Sequence, residues 1–212
     1  MSNSYNKISY AYDVIVEPFF SAPKRLATRI LCKQFNDPAN VRLLEVAGGT
    51  GTQAIQLVEM GFAVCVMEKA QGMIRQIIKK ARRINSNRLS VCCGDAAQIP
   101  FSDAFFDGVV LQMSLHEMDS KTRSDCIFEI KRVTKKSAIY LFLDFVPVRR
   151  KTISHFLILT AEYLAGTKHY RNGRVFVKSG GLIRLLHRSG FQVIRSYSFF
   201  QKNILLAVAV KN

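Results

Sequence analysis

The chain has 212 residues, 49% of them apolar, and carries 31 Lys and Arg against 15 Asp and Glu, a formal net charge of +16. That length and apolar content support one full core in a single domain, 1–212. No apolar run reaches the roughly 18 residues of a spanning helix, and Met1 to Tyr12 has no apolar stretch of the kind a secretory signal needs, so a cytoplasmic protein is expected. The five cysteines (Cys32, Cys65, Cys92, Cys93, Cys126) show no C-x-x-C spacing, which argues for buried free thiols and against a disulfide framework or a metal site.

In chain order, residues 1–40 precede the first strand and include the helix-like "APKRLATRILCKQF". "VRLLEVA" predicts a buried strand, "TGTQAIQLVEMG" a helix ended by Gly61, "FAVCVME" a strand and "QGMIRQIIKKARRI" an amphipathic helix. "RLSVCCGDA" and "FFDGVVLQMS" predict further strands, "KTRSDCIFEIKRVT" a helix and "SAIYLFLDF" a fifth strand. A second helical pattern, Ile153 to Leu164, and a polar aromatic segment, "GTKHYRNGRVF", follow as a cover over the sheet. The end breaks the alternation: "SGGLIRLLHRSG" is a helix, and "FQVIRSYSFF" and "ILLAVAVK" are strands separated by the short polar "QKN". So short a link cannot hold a helical crossover, and an antiparallel hairpin is expected. The fold class is α/β, a mostly parallel sheet with helices on both faces.

The positive charge is uneven. From Phe145 to the C-terminus there are twelve Lys and Arg against one acid, Glu162, and a second basic cluster (Arg75, Lys79, Lys80, Arg82, Arg83, Arg88) surrounds one predicted helix. Such a field can attract nucleic acid, anionic lipid or an acidic partner, or serve only as a solvated face.

The chemistry concentrates at the predicted strand ends. Gly49-Thr50-Gly51-Thr52-Gln53-Ala54 fits the dinucleotide fingerprint G-x-G-x-x-A, a weak signal alone. Glu68 ends the second strand, where a carboxylate can accept both hydroxyls of a ribose, as either NAD or S-adenosylmethionine requires. Asp95 follows the third strand, and the fourth ends in Gln112, Ser114 and His116 at the same edge.

The order E-V-A-G-G-T-G, V-M-E, G-D-A-x-x-I-P-F and F-D-G-V-V-L-Q-M-S-L-H resembles the class I S-adenosylmethionine-dependent methyltransferases, especially the ubiquinone/menaquinone biosynthesis branch. "YNKISYAYD" is similar to that branch's opening, and the terminal hairpin matches the fold's antiparallel seventh strand, which lies between the fifth and sixth. The resemblance implies a Rossmann-like seven-stranded fold with an N-terminal cap (1–40), a cofactor-binding core (41–145), a substrate-side insertion (146–177) and a closing helix and hairpin (178–212).

It further implies that Ala47, Gly48, Gly49 and Gly51 admit the methionine and ribose part of the cofactor, with Glu45 near its amino end. Glu68 would hold the ribose, Lys69 or Met73 would border the adenine, and Asp95 and Ala96 would address the adenine edge. Gln112 and Ser114 would lie beside the methionine moiety, and Tyr5 and Tyr12 would close over the cofactor. Candidates for a base near the methyl group are His116 and His169, either of which can also merely fill a wall. The implied reaction is methyl transfer to a small-molecule acceptor, aromatic, quinone-like or lipid-like, at a basic, membrane-facing surface, with S-adenosylhomocysteine as product. RNA methylation and non-catalytic cofactor binding are the alternatives. "KHYRNGRVF" departs from the quinone enzymes' usual C-terminal motif.

Overall fold

The computed structural model describes residues 13, 14, 16–84, 86–147, 160, 163 and 166–212. Seven strands, β1 (Arg42–Val46), β2 (Ala63–Glu68), β3 (Leu89–Cys93), β4 (Phe106–Gln112), β5 (Thr134–Phe145), β6 (Phe191–Phe199) and β7 (Ile204–Lys211), pair in the order β3-β2-β1-β4-β5-β7-β6. The first five run parallel, while β7 is antiparallel to both β5 and β6. The expected hairpin is therefore present, and its second strand inserts between β5 and β6. Phe200, Gln201 and Lys202 all take positive φ at the turn, and the Asn203 side-chain amide closes it by donating to the Phe200 carbonyl at 2.6 Å.

Helices α1 (Glu17–Gln34), α2 (Thr52–Glu59), α3 (Gln71–Ile84), α4 (Ser120–Val133), α5 (Thr167–Lys178) and α6 (Gly181–Arg188) accompany the sheet. The central strands are buried almost throughout, as their unbroken apolar runs require. Phe191 sits edge-on to Tyr140 and Phe142, at centroid distances of 4.8 and 5.4 Å, and so ties β6 to β5 across β7. On α3, Met73, Ile74 and Ile77 face inward, while Arg75, Lys79, Arg82 and Arg83 point to solvent. No helix among the described residues is long and apolar enough to cross a membrane.

Helix α1 starts earlier than its apolar pattern indicates, at Glu17, and buries Pro23, Ala27 and Leu31 at four-residue spacing. The polar aromatic segment "GTKHYRNGRVF" lies within α5 except for Gly166, which is its N-cap. Its buried positions are His169, Asn172, Gly173 and Phe176, a helical i, i+3, i+4, i+7 stripe. Because three of those four are polar or glycine, an apolar-periodicity test does not register them. Of the helical pattern Ile153 to Leu164, only Thr160 and Tyr163 are among the described residues.

This topology has a switch point. After β1 the chain proceeds outward to β2 and β3, then returns to β4 on the other side of β1, opening a crevice at the C-terminal ends of β1 and β4. The residues that follow these two strands, Ala47 and Met113, both have φ of 52°, a conformation non-glycine residues rarely adopt.

Candidate active site

The crevice is a cleft of about 360 Å³ bordered by Ala47, Gly49, Glu68, Lys69, Met73, Asp95, Ala96, Gln112 and Ser114. These nine residues are among those the resemblance implies for the cofactor; eight stand at or just after the ends of β1 to β4, and Met73 is on α3. A smaller hollow beside it is lined by Phe20, Lys24, Glu45, Gly48 and Leu143, among others.

The glycines divide the work. Gly49 has φ of +59° and open space where a Cβ would project, so its backbone faces the cleft. Gly48 lies against β2, where a Cβ would come within 2.4 Å of a Val66 methyl. Gly51 caps α2 with φ of +75°, and its Cβ would meet Ile77 of α3 at 2.9 Å. It serves helix packing and does not border the cleft. Tyr5 and Tyr12 lie outside the described residues.

Glu68 joins the loop to the strand end. Its Oε2 accepts from the Gly49 amide at 2.9 Å, and its Oε1 accepts from the Lys69 and Ala70 amides at 2.8 Å each. Burial raises its carboxyl above the ordinary range despite those three donors. Lys69 reaches across to Asp95, with Nζ 2.5 Å from Oδ2, and this ion pair holds the Asp95 carboxyl below its usual range. Asp95 also accepts from the Ala97 amide at 3.0 Å, which fixes the turn after β3.

Glu45 is 4% exposed, and burial pushes its carboxyl up to about 8; the Lys24 cation pulls the other way. Its Oε2 has no hydrogen-bond partner, nor do the buried Gln112 Oε1 and Ser114 Oγ nearby in the chain's first and fourth strand ends. A folded-state carboxyl above its ordinary 4.5 means the folded chain keeps a proton that the unfolded chain releases. That contribution to stability is complete below about 4.5 and is lost as pH rises toward about 8. Glu45→Gln, which mimics the protonated acid, is expected to gain stability over the native chain through this window. Urea unfolding at both ends of the window measures it, and an advantage independent of pH would contradict the assignment.

The opposite wall of the cleft includes Glu117, Met118, Asp119, Thr122 and Lys168, contributed by the β4–α4 loop and the starts of α4 and α5. Buried Arg123 holds this loop, donating from Nε to the Leu115 carbonyl at 2.7 Å and from Nη2 to the Met118 carbonyl at 2.6 Å. Its guanidinium also lies over the Phe176 ring of α5, 4.7 Å from the centroid. Asn172 of α5 donates to the Glu117 carbonyl at 2.6 Å. The loop and α5 are thereby locked together.

Behind that wall stands a group only partly expected. His116 is 2% exposed and its Nδ1 lies 2.7 Å from Oδ1 of Asp144, which is fully buried at the end of β5. Asp144 also accepts from the amides of Leu115 (2.9 Å), His116 (3.3 Å) and Phe145 (2.7 Å). The His169 ring packs edge-on to His116 at 5.3 Å, and its Nδ1 is 3.7 Å from Glu117 Oε2. Neither imidazole borders the cleft; Glu117 does.

Residues 43–137 match the family model of a methyltransferase domain. The demethylmenaquinone methyltransferase of Renibacterium salmoninarum is 26% identical over 76% of this chain, which spans 63% of that relative. The ubiquinone/menaquinone biosynthesis C-methyltransferase UbiE of Cupriavidus metallidurans is 24% identical over 98% of this chain and 90% of its own. Among solved structures, the magnesium protoporphyrin IX methyltransferase of Synechocystis with bound SAH superposes with a TM-score of 0.67 at 18% identity, covering 90% of this chain and 83% of that one.

The chain has the fold of the class I methyltransferases.

Within that methyltransferase fold, Asp144, Glu117 and Arg123 are the site residues that sequence reasoning passed over. Asp144 did leave a signal, as the lone acid in the strand "SAIYLFLDF", where an ionisable group is retained only with partners. Glu117 adjoins His116 in the chain, and nothing in the sequence sets Arg123 apart from the chain's other cations.

Proposed function

We propose that this chain binds S-adenosylmethionine in the cleft and transfers its methyl group to a small-molecule acceptor of aromatic, quinone-like or lipid-like character. The observation that supports this most strongly is the set of buried polar atoms without partners, Glu45 Oε2, Gln112 Oε1 and Ser114 Oγ, at the ends of β1 and β4. Buried acceptors of this kind are costly unless a ligand satisfies them. Two are carboxyl or amide oxygens, suited to an ammonium group, whereas a pyrophosphate in the same place would meet oxygen against oxygen. The dinucleotide fingerprint is thus disfavoured by the chemistry around it.

Glu68 would accept the ribose hydroxyls, sharing one of its amide contacts, and Asp95 and Ala96 would border the base. When bound, the cofactor supplies an electrophilic sulfonium methyl, so the chain's contribution is alignment of an acceptor and exclusion of water. The apolar Met113 and Met118 and the carboxylate of Glu117 form the wall an acceptor would meet. His116 and His169 act through Glu117 in this arrangement, not on the acceptor directly. The relatives named as quinone methyltransferases favour a phenolic acceptor.

Thermal-shift and calorimetric titration with S-adenosylhomocysteine and with NAD test the cofactor. Stabilisation by S-adenosylhomocysteine is expected; stabilisation by NAD alone would overturn the proposal. Transfer of labelled methyl from S-adenosylmethionine to demethylmenaquinol, set against other phenols and against RNA, then tests the acceptor class. Binding without transfer to any acceptor would leave a cofactor-binding protein.

A further inference from the structure

His116 and the adjacent Glu117 converge with His169, some fifty residues further along the chain, and one donor atom from each lies within 4.8 Å of the other two. First-row divalent cations bind nitrogen and oxygen donors at about 2.0–2.2 Å, which places neighbouring ligand atoms roughly 3–3.5 Å apart. A closure of roughly 1.5 Å at the widest pair therefore converts the observed cluster into a coordination shell. We propose that these three residues form a binding site for a first-row divalent cation, of which Zn²⁺ is the simplest case.

Four features support the assignment. Two imidazoles and one carboxylate are a donor set that recurs at sites for such metals and leaves coordination positions open. Asp144 engages His116 through Nδ1, so Nε2 would be the ligating atom; a carboxylate behind the far nitrogen is the usual support of a ligating histidine. The donors are held on rigid elements, since the Asn172 contact to the Glu117 carbonyl and the Arg123 contacts clamp the loop to α5. Finally, Glu117 belongs to both the cluster and the cleft wall, so the open positions of a bound cation would face the acceptor side.

This inference rests on the proposed methyltransferase site only for its significance to the acceptor, and binding can be read without turnover. The cysteine pattern offered no metal site on sequence grounds, and this one uses no cysteine. Two histidines so far apart in the chain have no ligand spacing to notice until β4 and α5 are brought together.

The test is titration of the chelator-treated protein with Co²⁺, followed by visible absorption, then displacement with Zn²⁺. The same sample is titrated with S-adenosylhomocysteine, so that failure of the metal site and failure of the cofactor site are read separately. One equivalent of Co²⁺ is expected, with ligand-field bands in the visible range that vanish on addition of one equivalent of Zn²⁺. His169→Ala and Glu117→Gln are each expected to weaken binding at least tenfold while S-adenosylhomocysteine still binds. Asp144→Asn is expected to weaken it by about 10–100-fold through the orientation of His116. The proposal is overturned if the native chain binds no Co²⁺ in the micromolar range. It is equally overturned if His169→Ala binds as tightly as the native chain, or if the spectrum shows thiolate charge transfer, which would point to Cys92 and Cys93 instead.

Discussion

Replacing Glu68 by alanine is expected to weaken binding of S-adenosylhomocysteine by roughly 100-fold, measured by calorimetry at fixed salt. Hydrogen bonds to a charged group are worth about 1.5–3 kcal/mol each. Loss of two from the ribose at the lower figure is about 3 kcal/mol, or two decades in affinity. The variant also strips the Gly49, Lys69 and Ala70 amides of their acceptor, so the glycine loop loses its tie to β2. Both effects act in the same direction on affinity. Asp95→Asn provides the contrast, because Asp95 spends its carboxylate on an exposed ion pair with Lys69 and on one turn amide. Exposed pairs contribute little, so its effect is expected to stay within about tenfold. Equal losses in the two variants would place the ribose elsewhere in the cleft.

The lining of the cleft was largely legible because most of its residues follow strands in sequence. A strand end fixes where the next residue stands, so Ala47, Glu68, Asp95 and Gln112 can be set side by side once the strands are ordered. The terminal hairpin was legible for a similar reason, since "QKN" is too short for any other connection. What sequence could not supply is which face a residue turns to. Gly51 reads like its neighbours in the loop, yet it faces Ile77 and the helix interface. His116 and His169 read as candidate bases or as wall fillers, and the sequence does not show that Asp144 and Glu117 are their respective partners. Their partners come from elements distant in the chain, and only tertiary packing brings them into contact. α5 escaped for another physical reason, because its buried stripe is used to hold polar contacts and so lacks an apolar period.

Asp144 anchors the β4–α4 loop through the Leu115 and His116 amides, and Asp144→Ala is expected to destabilise the fold by about 3–5 kcal/mol. Removing one partner of a buried pair costs about that much, since the groups left behind are desolvated without compensation. Here the abandoned groups are the Leu115, His116 and Phe145 amides and the His116 ring. For a chain of this size each kcal/mol lowers Tm by about 2–4 °C, so a fall of roughly 6–20 °C is expected in a thermal melt. Asp144→Asn separates shape from charge. Its carbonyl can still accept from the loop amides, but if its NH₂ faces His116 then Nδ1 must become the acceptor and the ring proton moves to Nε2. The asparagine variant should therefore recover most of the stability lost in the alanine variant while presenting the wrong tautomer to Glu117 and His169. Nitrogen NMR shifts of the His116 ring distinguish the two states. If alanine costs less than about 1 kcal/mol, Asp144 is not the anchor of this loop; if the asparagine variant keeps its ring proton on Nδ1, the orientation of His116 is set by something other than the Asp144 carboxylate.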